Sequence, residues 1–224
     1  MTTASLIQVD RRALLTFMDE VPEDERGHHT AISSFLGEPL AVALILHFLT
    51  GQGGRAECLS LKVTTGQKKG PRLDAWIRDG QRSLYQTEVK MWAGNAIGGL
   101  RLPLEASTEQ ALAVGNEQWE RIWDDQQHTF KDQKKVRKVL VPMRQPKGFE
   151  GARVEALACF WWMVQPKGGS GPWFTVSTSH QEFPQVHIFS LSAYLRSLEE
   201  DMLALPMPLV TTRLSLLRKL LPTN

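Results

Sequence analysis

Residues 70–92 read Gly70-Pro71-Arg72-Leu73-Asp74-Ala75-Trp76-Ile77-Arg78-Asp79-Gly80-Gln81-Arg82-Ser83-Leu84-Tyr85-Gln86-Thr87-Glu88-Val89-Lys90-Met91-Trp92. Two strand-like runs flank a turn at Asp79-Gly80. Side chains alternate faces along a strand. Glu88 and Lys90 therefore point the same way, roughly 7 Å apart along the strand. Val89 points to the opposite face. If Asp74 shares the face of Glu88, the two carboxylates can hold a divalent cation beside a reacting phosphate, with Lys90 next to it.

Parity decides whether they share it. A strict two-residue turn pairs Arg78 with Gln81 and Asp74 with Tyr85, which separates the carboxylates. A loop of three or five residues shifts the register by one. Asp74 then faces Gln86, with Glu88 diagonal to it. The expectation is an odd-length loop with Gly80 in a left-handed conformation.

Upstream, Val9 to Glu20 has helical apolar spacing and Pro22 to His29 reads as a polar loop. The adjacent His28 and His29 point in different directions and do not suit a shared metal. Phe35-Leu36-Gly37-Glu38-Pro39 is expected to open a helix, since proline fits the first turn, and the helix to close at Gly51. It is apolar nearly all round and hence buried. Glu38 sits at its mouth, either facing the helix dipole or as a further acid near the metal. Glu57 to Thr65 alternates as a strand.

Downstream, Trp92 to Leu102 is a glycine-bearing loop that lacks the Gly-Lys-Ser/Thr end of a P-loop. Ser107 to Phe130 reads as mostly helical, broken near Gly115, with Trp119, Ile122 and Trp123 on the core face and Gln118 off it. Lys131 to Lys147 holds seven basic residues against one acid, Asp132. Lys134, Lys135, Arg137 and Lys138 are the candidate phosphate contacts there, beside a strand at 139–141. Val154 to Val164 is an apolar strand whose Trp161 and Trp162 are expected in the core. Phe174 to Thr178 and Val186 to Ser190 are short strands. Ser192 to Ala204 and Leu209 to Leu221 are helices. The last could pack on the core, dimerise or touch nucleic acid.

The 224 residues have no repeat or linker, so a single domain spanning 1–224 is expected. The charge of +2 is only mildly basic, so the distribution of charge matters more than its total. Two cysteines, Cys58 and Cys159, suit buried thiols rather than a disulfide framework or structural zinc. No secretory leader is apparent, and the run Leu40 to Leu49, broken by His47, is too short to span a bilayer. The expectation is a cytoplasmic protein without a membrane partner.

The Asp74…Glu88-Val89-Lys90 pattern resembles the PD-(D/E)xK nuclease superfamily, the restriction-endonuclease-like fold. The order buried helix, three strands, helix, strand from about Ser33 to Pro142 is similar to its αβββαβ core. That implies an α/β (α+β) fold: a core at about 30–145 with a central mixed sheet flanked by helices, and extra C-terminal strands and helices at 150–224. No proline directly precedes Asp74; the nearest is Pro71. The resemblance implies Asp74, Glu88 and Lys90 as catalytic residues. It implies Mg²⁺, with Mn²⁺ as substitute, held by Asp74, Glu88, the Val89 carbonyl and Glu38. It also implies a helix residue such as Gln118 or Arg121 near the substrate, where Gln86 is a further candidate contact. The expected function is a metal-dependent nuclease hydrolysing phosphodiester bonds of DNA, with RNA not excluded. The alternative is a catalytically inactive module of the same fold that binds nucleic acid or a protein partner.

Overall fold

In the computed structural model, the described residues are 6–19, 26–66, 70–80, 83–91, 102–131 and 136–221. The chain builds one central six-stranded sheet. Its strands are β2 (Glu57–Ser60), β5 (Ala75–Arg78), β6 (Ser83–Lys90), β9 (Arg153–Phe160), β10 (Trp173–Ser177) and β11 (Gln185–Ser190). Their spatial order is β10-β11-β9-β6-β5-β2. The β2, β5 and β6 strands form an antiparallel meander. The β9 strand runs parallel to β6 on one side and to β11 on the other, and β10 returns antiparallel. The sheet is therefore mixed, as expected.

Both central strands are covered on both faces. The β6 side chains are buried from Leu84 to Lys90, and β9 is buried from Ala156 to Phe160. Parallel central strands need cover on both sides because their crossovers lay helices across the sheet. Helix α2 (Arg26–Gly51) supplies one cover. Phe48 meets Trp173 and Phe189 of the outer strands. Helix α3 (Thr108–Ile122) helps cover the other face, where Trp119 meets Phe174. Ser107 caps α3 in a reciprocal capping box with Gln110.

Helix α2 starts earlier than the expected opening at Phe35 to Pro39. It begins at Arg26, so 26–29 are helical rather than loop, and Pro39 lies inside it. Proline cannot donate to the carbonyl four residues back. That carbonyl belongs to Phe35, and it accepts instead from the Arg213 guanidinium, which also lies over the Phe35 ring at 5.6 Å. Arg213 comes from α5 (Pro208–Leu220). Ala31–Gly51 is, by length and composition, apolar enough to cross a membrane. Here Leu40 to Ile45 are the core, at most 4% exposed.

Other elements depart from expectation for local reasons. Ser107 to Phe130 is not broken at Gly115. That glycine lets α3 approach Gln165 and Met163, where a Cβ would sit 3.1 Å from each. The helix ends at Ile122, followed by a short hairpin of β7 (Trp123–Asp124) and β8 (Thr129–Phe130). Residues 139–141 are not a strand: Arg137–Leu140 is a 3-10 turn. The expected helix 192–204 is the shorter α4 (Leu191–Ser197), capped by Ser190, and then β12 (Met202–Pro206). That strand pairs with β1 (Leu6–Asp10). Helix α1 (Arg11–Asp19) follows β1. Trp161 and Trp162 are buried, and both cysteines are free thiols, Cys159 buried and Cys58 partly so. The loop expected at 92–102 lies outside the described residues up to 101.

Candidate active site

The β5–β6 register is Ala75↔Thr87, Trp76↔Gln86, Ile77↔Tyr85 and Arg78↔Leu84. Five residues, Asp79 to Ser83, lie between the last pair, so the loop is odd. It closes where the Asp79 N–H donates to the Ser83 carbonyl at 3.2 Å and the Ser83 N–H donates to Asp79 Oδ1 at 3.1 Å. Gly80 is not left-handed. Its missing side chain serves a close approach instead, since a Cβ would meet the Arg55 backbone at 3.2–3.3 Å.

The register runs two residues beyond the expected one. The pairing ends at Ala75↔Thr87, and Asp74, a bend residue just before β5, lies at Thr87 and close enough to Glu88 to act on its charge, rather than opposite Gln86. The Asp74 N–H donates to the Thr87 carbonyl at 3.0 Å. The Asp74 carboxylate is in turn aimed by the Val89 N–H, which donates to Oδ2 at 2.7 Å. Asp74 is half-exposed, so the pair opens to solvent on its side.

Glu88 is 1% exposed. Its Oε1 accepts from the Lys90 ammonium and, at 2.9 Å, from Lys138 Nζ. Its Oε2 is buried and has no hydrogen-bond partner. Burial first and Asp74 second push the carboxyl up to about 7, against the pull of Lys90 and Lys138. Two carboxylates facing each other in a poorly hydrated place each raise the cost of ionising the other.

Lys138 reaches Glu88 because the 3-10 turn is fastened to the sheet. It also donates to the Arg72 carbonyl at 2.8 Å. The fastening is Gln86, which is fully buried. Its Nε2 donates to the carbonyls of Val139 and Val141, and its Oε1 accepts the Met143 N–H at 3.2 Å. Gln86 is therefore a bolt between β6 and the turn, not a substrate contact.

Glu38 stands on the exposed side of α2. It is mid-helix rather than at a helix mouth, so the dipole reading does not apply to it. Its carboxyl is raised by the crowding of surrounding protein and then by Asp74, and lowered by Arg213, Lys138 and Lys62. Three carboxylates, Asp74, Glu88 and Glu38, thus share a neighbourhood with Lys62, Lys90, Lys138 and Arg213. Lys62 and Arg213 are additions that the sequence reading lacks. No local pattern marks them, because each is brought in from a distant element.

Of the remaining candidates, three have a described position and two do not. Gln118 is buried on α3, at 2% exposure, rather than off its core face. Arg121 pairs with Glu117 along the helix surface. Arg137 is half-buried on the 3-10 turn. Lys134 and Lys135 lie outside the described residues.

Among the described residues, no group of three or more His, Cys, Asp or Glu side chains gathers closely enough to hold a metal ion. Glu38 is therefore not drawn into one ligand set with Asp74 and Glu88. The two-carboxylate pair still fits Mg²⁺, which commonly binds through one or two carboxylates and keeps several waters. The orphaned Glu88 Oε2 and the nearby Asp74 carboxylate would be the donors for such an ion. No family model, curated protein or solved structure matches the chain.

Proposed function

We propose that the chain is a metal-dependent nuclease that hydrolyses phosphodiester bonds of DNA. One observation carries the reading. Glu88 is buried with one oxygen held by two lysines and the other without a partner, near enough to Asp74 for the two charges to oppose each other. A carboxylate kept in that condition for structure alone would be a cost: an unpaired buried polar atom is destabilising by about 1–3 kcal/mol. A bound cation removes the cost.

The order of elements supports the restriction-endonuclease-like reading, with one change. Leaving out the two short hairpins, β3 (Val63–Thr64) with β4 (Arg72–Leu73) and β7 with β8, and the 3-10 turn, helix α2, strands β2, β5 and β6, helix α3 and strand β9 run in the αβββαβ order. The last strand is β9, not 139–141, so the core extends to Phe160.

Bound Mg²⁺, or Mn²⁺ in its place, would supply an acidified water and neutralise charge developing on the phosphate. Asp74 and Glu88 would hold it, with the Val89 carbonyl as the backbone ligand that the resemblance implies. The chain's own groups do the rest. The Val89 N–H fixes the Asp74 carboxylate so that little reorganisation is needed. Lys90, beside Glu88, orients the attacking water and stabilises negative charge in the transition state. Lys138 and Gln86 are positioning residues: Lys138 shares the Glu88 oxygen, and Gln86 holds the turn that delivers Lys138. Lys62 and Arg213 make the rim attractive to a phosphate backbone.

The test is incubation with linear, nicked, supercoiled and single-stranded DNA, and with RNA, in Mg²⁺, Mn²⁺ or EDTA. Cleavage is expected with metal, lost in Asp74→Ala and strongly reduced in Lys90→Ala. No cleavage of any substrate, or equal cleavage by both variants, rejects the reading. Metal-independent binding of DNA that is indifferent to Lys90→Ala favours the inactive binding module.

A further inference from the structure

The hairpin of β3 and β4 stands outside the αβββαβ order and ends immediately before Asp74. Both of its strands are fastened to the segment that carries Lys138. Lys138 Nζ lies 2.9 Å from Glu88 Oε1 and donates to the Arg72 carbonyl at 2.8 Å. Arg72 pairs with Thr64 across the hairpin, and the Thr64 carbonyl accepts from the Arg144 N–H at 3.1 Å. Glu88, Lys138, Arg72, Thr64 and Arg144 thus form an unbroken line of contacts leading away from the acidic pair.

The two arginines on that line are available. Val63 and Leu73 are buried, so by alternation their neighbours Thr64 and Arg72 turn outward, and both are exposed. Arg144 is exposed too, and its side chain runs along the hairpin, with Cδ 3.5 Å from where a Cβ of Gly66 would stand. Elsewhere on the surface, Arg12, Arg78, Arg121 and Lys167 each pair with a carboxylate. Arg72 and Arg144 form no ion pair with any described residue.

The local charge is of one sign. Residues 62–73 and 136–144 contain no Asp or Glu. Their described cations are Lys62, Arg72, Arg137, Lys138 and Arg144. Without these five the chain would stand at −3 rather than +2, so the patch opposes the sign of everything else. Like charges gathered without acids repel one another, and a bound polyanion relieves the repulsion.

We propose that the β3–β4 hairpin is a phosphate track, on which Arg72 and Arg144 each hold a backbone phosphate of the DNA strand beside the phosphate that is cut. The track rests on the nuclease reading for its purpose and adds to it the element that grips the substrate. Arginine suits the task, since its planar fork takes two phosphate oxygens at once.

The test is binding of the full chain to a short DNA duplex in EDTA over a range of salt concentrations. The logarithm of the binding constant falls with the logarithm of salt, with a slope of about 0.9 per phosphate contacted. The double variant Arg72→Gln with Arg144→Gln should lose about two from that slope and unfold at the same temperature as the parent. Arg153→Gln removes an exposed arginine at the other end of the sheet, beside Ser83, and should leave the slope unchanged. An unchanged slope in the double variant, an equal drop in Arg153→Gln, or no measurable binding by the parent overturns the proposal. So does a destabilised double variant, because the arginines would then have structural partners. Cleavage plays no part in this measurement. A parent that shows the expected slopes and cuts nothing in Mg²⁺ rejects the nuclease reading and leaves the grip on DNA standing.

Discussion

Glu88 offers the sharpest quantitative test, because its ionisation is opposed inside the folded protein. The perturbation is Glu88→Gln, which keeps the shape and one acceptor but cannot ionise. The carboxyl is raised from 4.5 to about 7. At about 1.4 kcal/mol per pKa unit, holding it ionised costs the fold about 3 kcal/mol above pH 7. The sign follows from linkage. Between pH 4.5 and 7 the native state binds more protons here than the unfolded chain does. The parent therefore loses stability as pH rises through that window, and the loss is complete above it. From pH 5 to pH 8 the expected difference is about 2–3 kcal/mol. Glu88→Gln should lack this component. Urea denaturation of both proteins at pH 5, 6, 7 and 8 in EDTA measures it as a difference of differences, in which the other titrating groups cancel. Added Mg²⁺ at pH 8 should then stabilise the parent and leave Glu88→Gln almost unaffected. The same pH slope in both proteins would falsify the idea that Glu88 is held ionised at a cost.

Three further outcomes are expected. Lys138→Met removes one of the two cations on Glu88, so its carboxyl should rise further. The pH–rate profile of cleavage should move up by about one unit, with roughly tenfold lower activity at pH 7; an unmoved profile means that Lys138 does not act through Glu88. Gln86→Leu strands the Val139 and Val141 carbonyls and the Met143 N–H, at about 3–5 kcal/mol in total. Chemical denaturation checks this, and a loss below about 1 kcal/mol removes Gln86 as the bolt. Arg213→Met should cost about 1–2 kcal/mol in the parent but clearly less in a Pro39→Ala background, where residue 39 can again donate to Phe35. A double-mutant cycle reads the coupling, and strict additivity refutes it.

Much of the candidate site was legible from alternation alone. A strand has a period of two, so the parity of the hairpin loop sets the register of β5 on β6, and the odd loop is present, although Asp74 itself lies in a bend just before β5. The exact register was not legible. It is fixed by the Asp79–Ser83 closure and by the approach of Gly80 to the Arg55 backbone, contacts that no spacing encodes. Pro39 misled the placement of α2 for a related reason. A proline marks the first turn of a helix unless another group serves the carbonyl it leaves open, and that group lies far along the chain. The segment 139–141 has strand-like composition, yet the amide of Gln86 holds it as a turn. Strand β9 falls in the stretch expected to be a C-terminal extension, yet it lies inside the central sheet, because its partners β6 and β11 are distant in sequence.

The bond from Arg213 to Phe35 gives α5 a second significance. The carbonyl opened by Pro39 acts as a socket, and its plug is carried on the last helix, 178 residues further along the chain. Phe35 lies less than one turn from Glu38, and Arg213 also acts electrostatically on that carboxylate. The setting of Glu38 beside Asp74 therefore depends on whether the C-terminal helix is docked. A tag, fusion or partner that pulls α5 away would be felt at the acidic cluster before it was felt in the sheet. Any handle for purification or assay belongs at the other end of the chain.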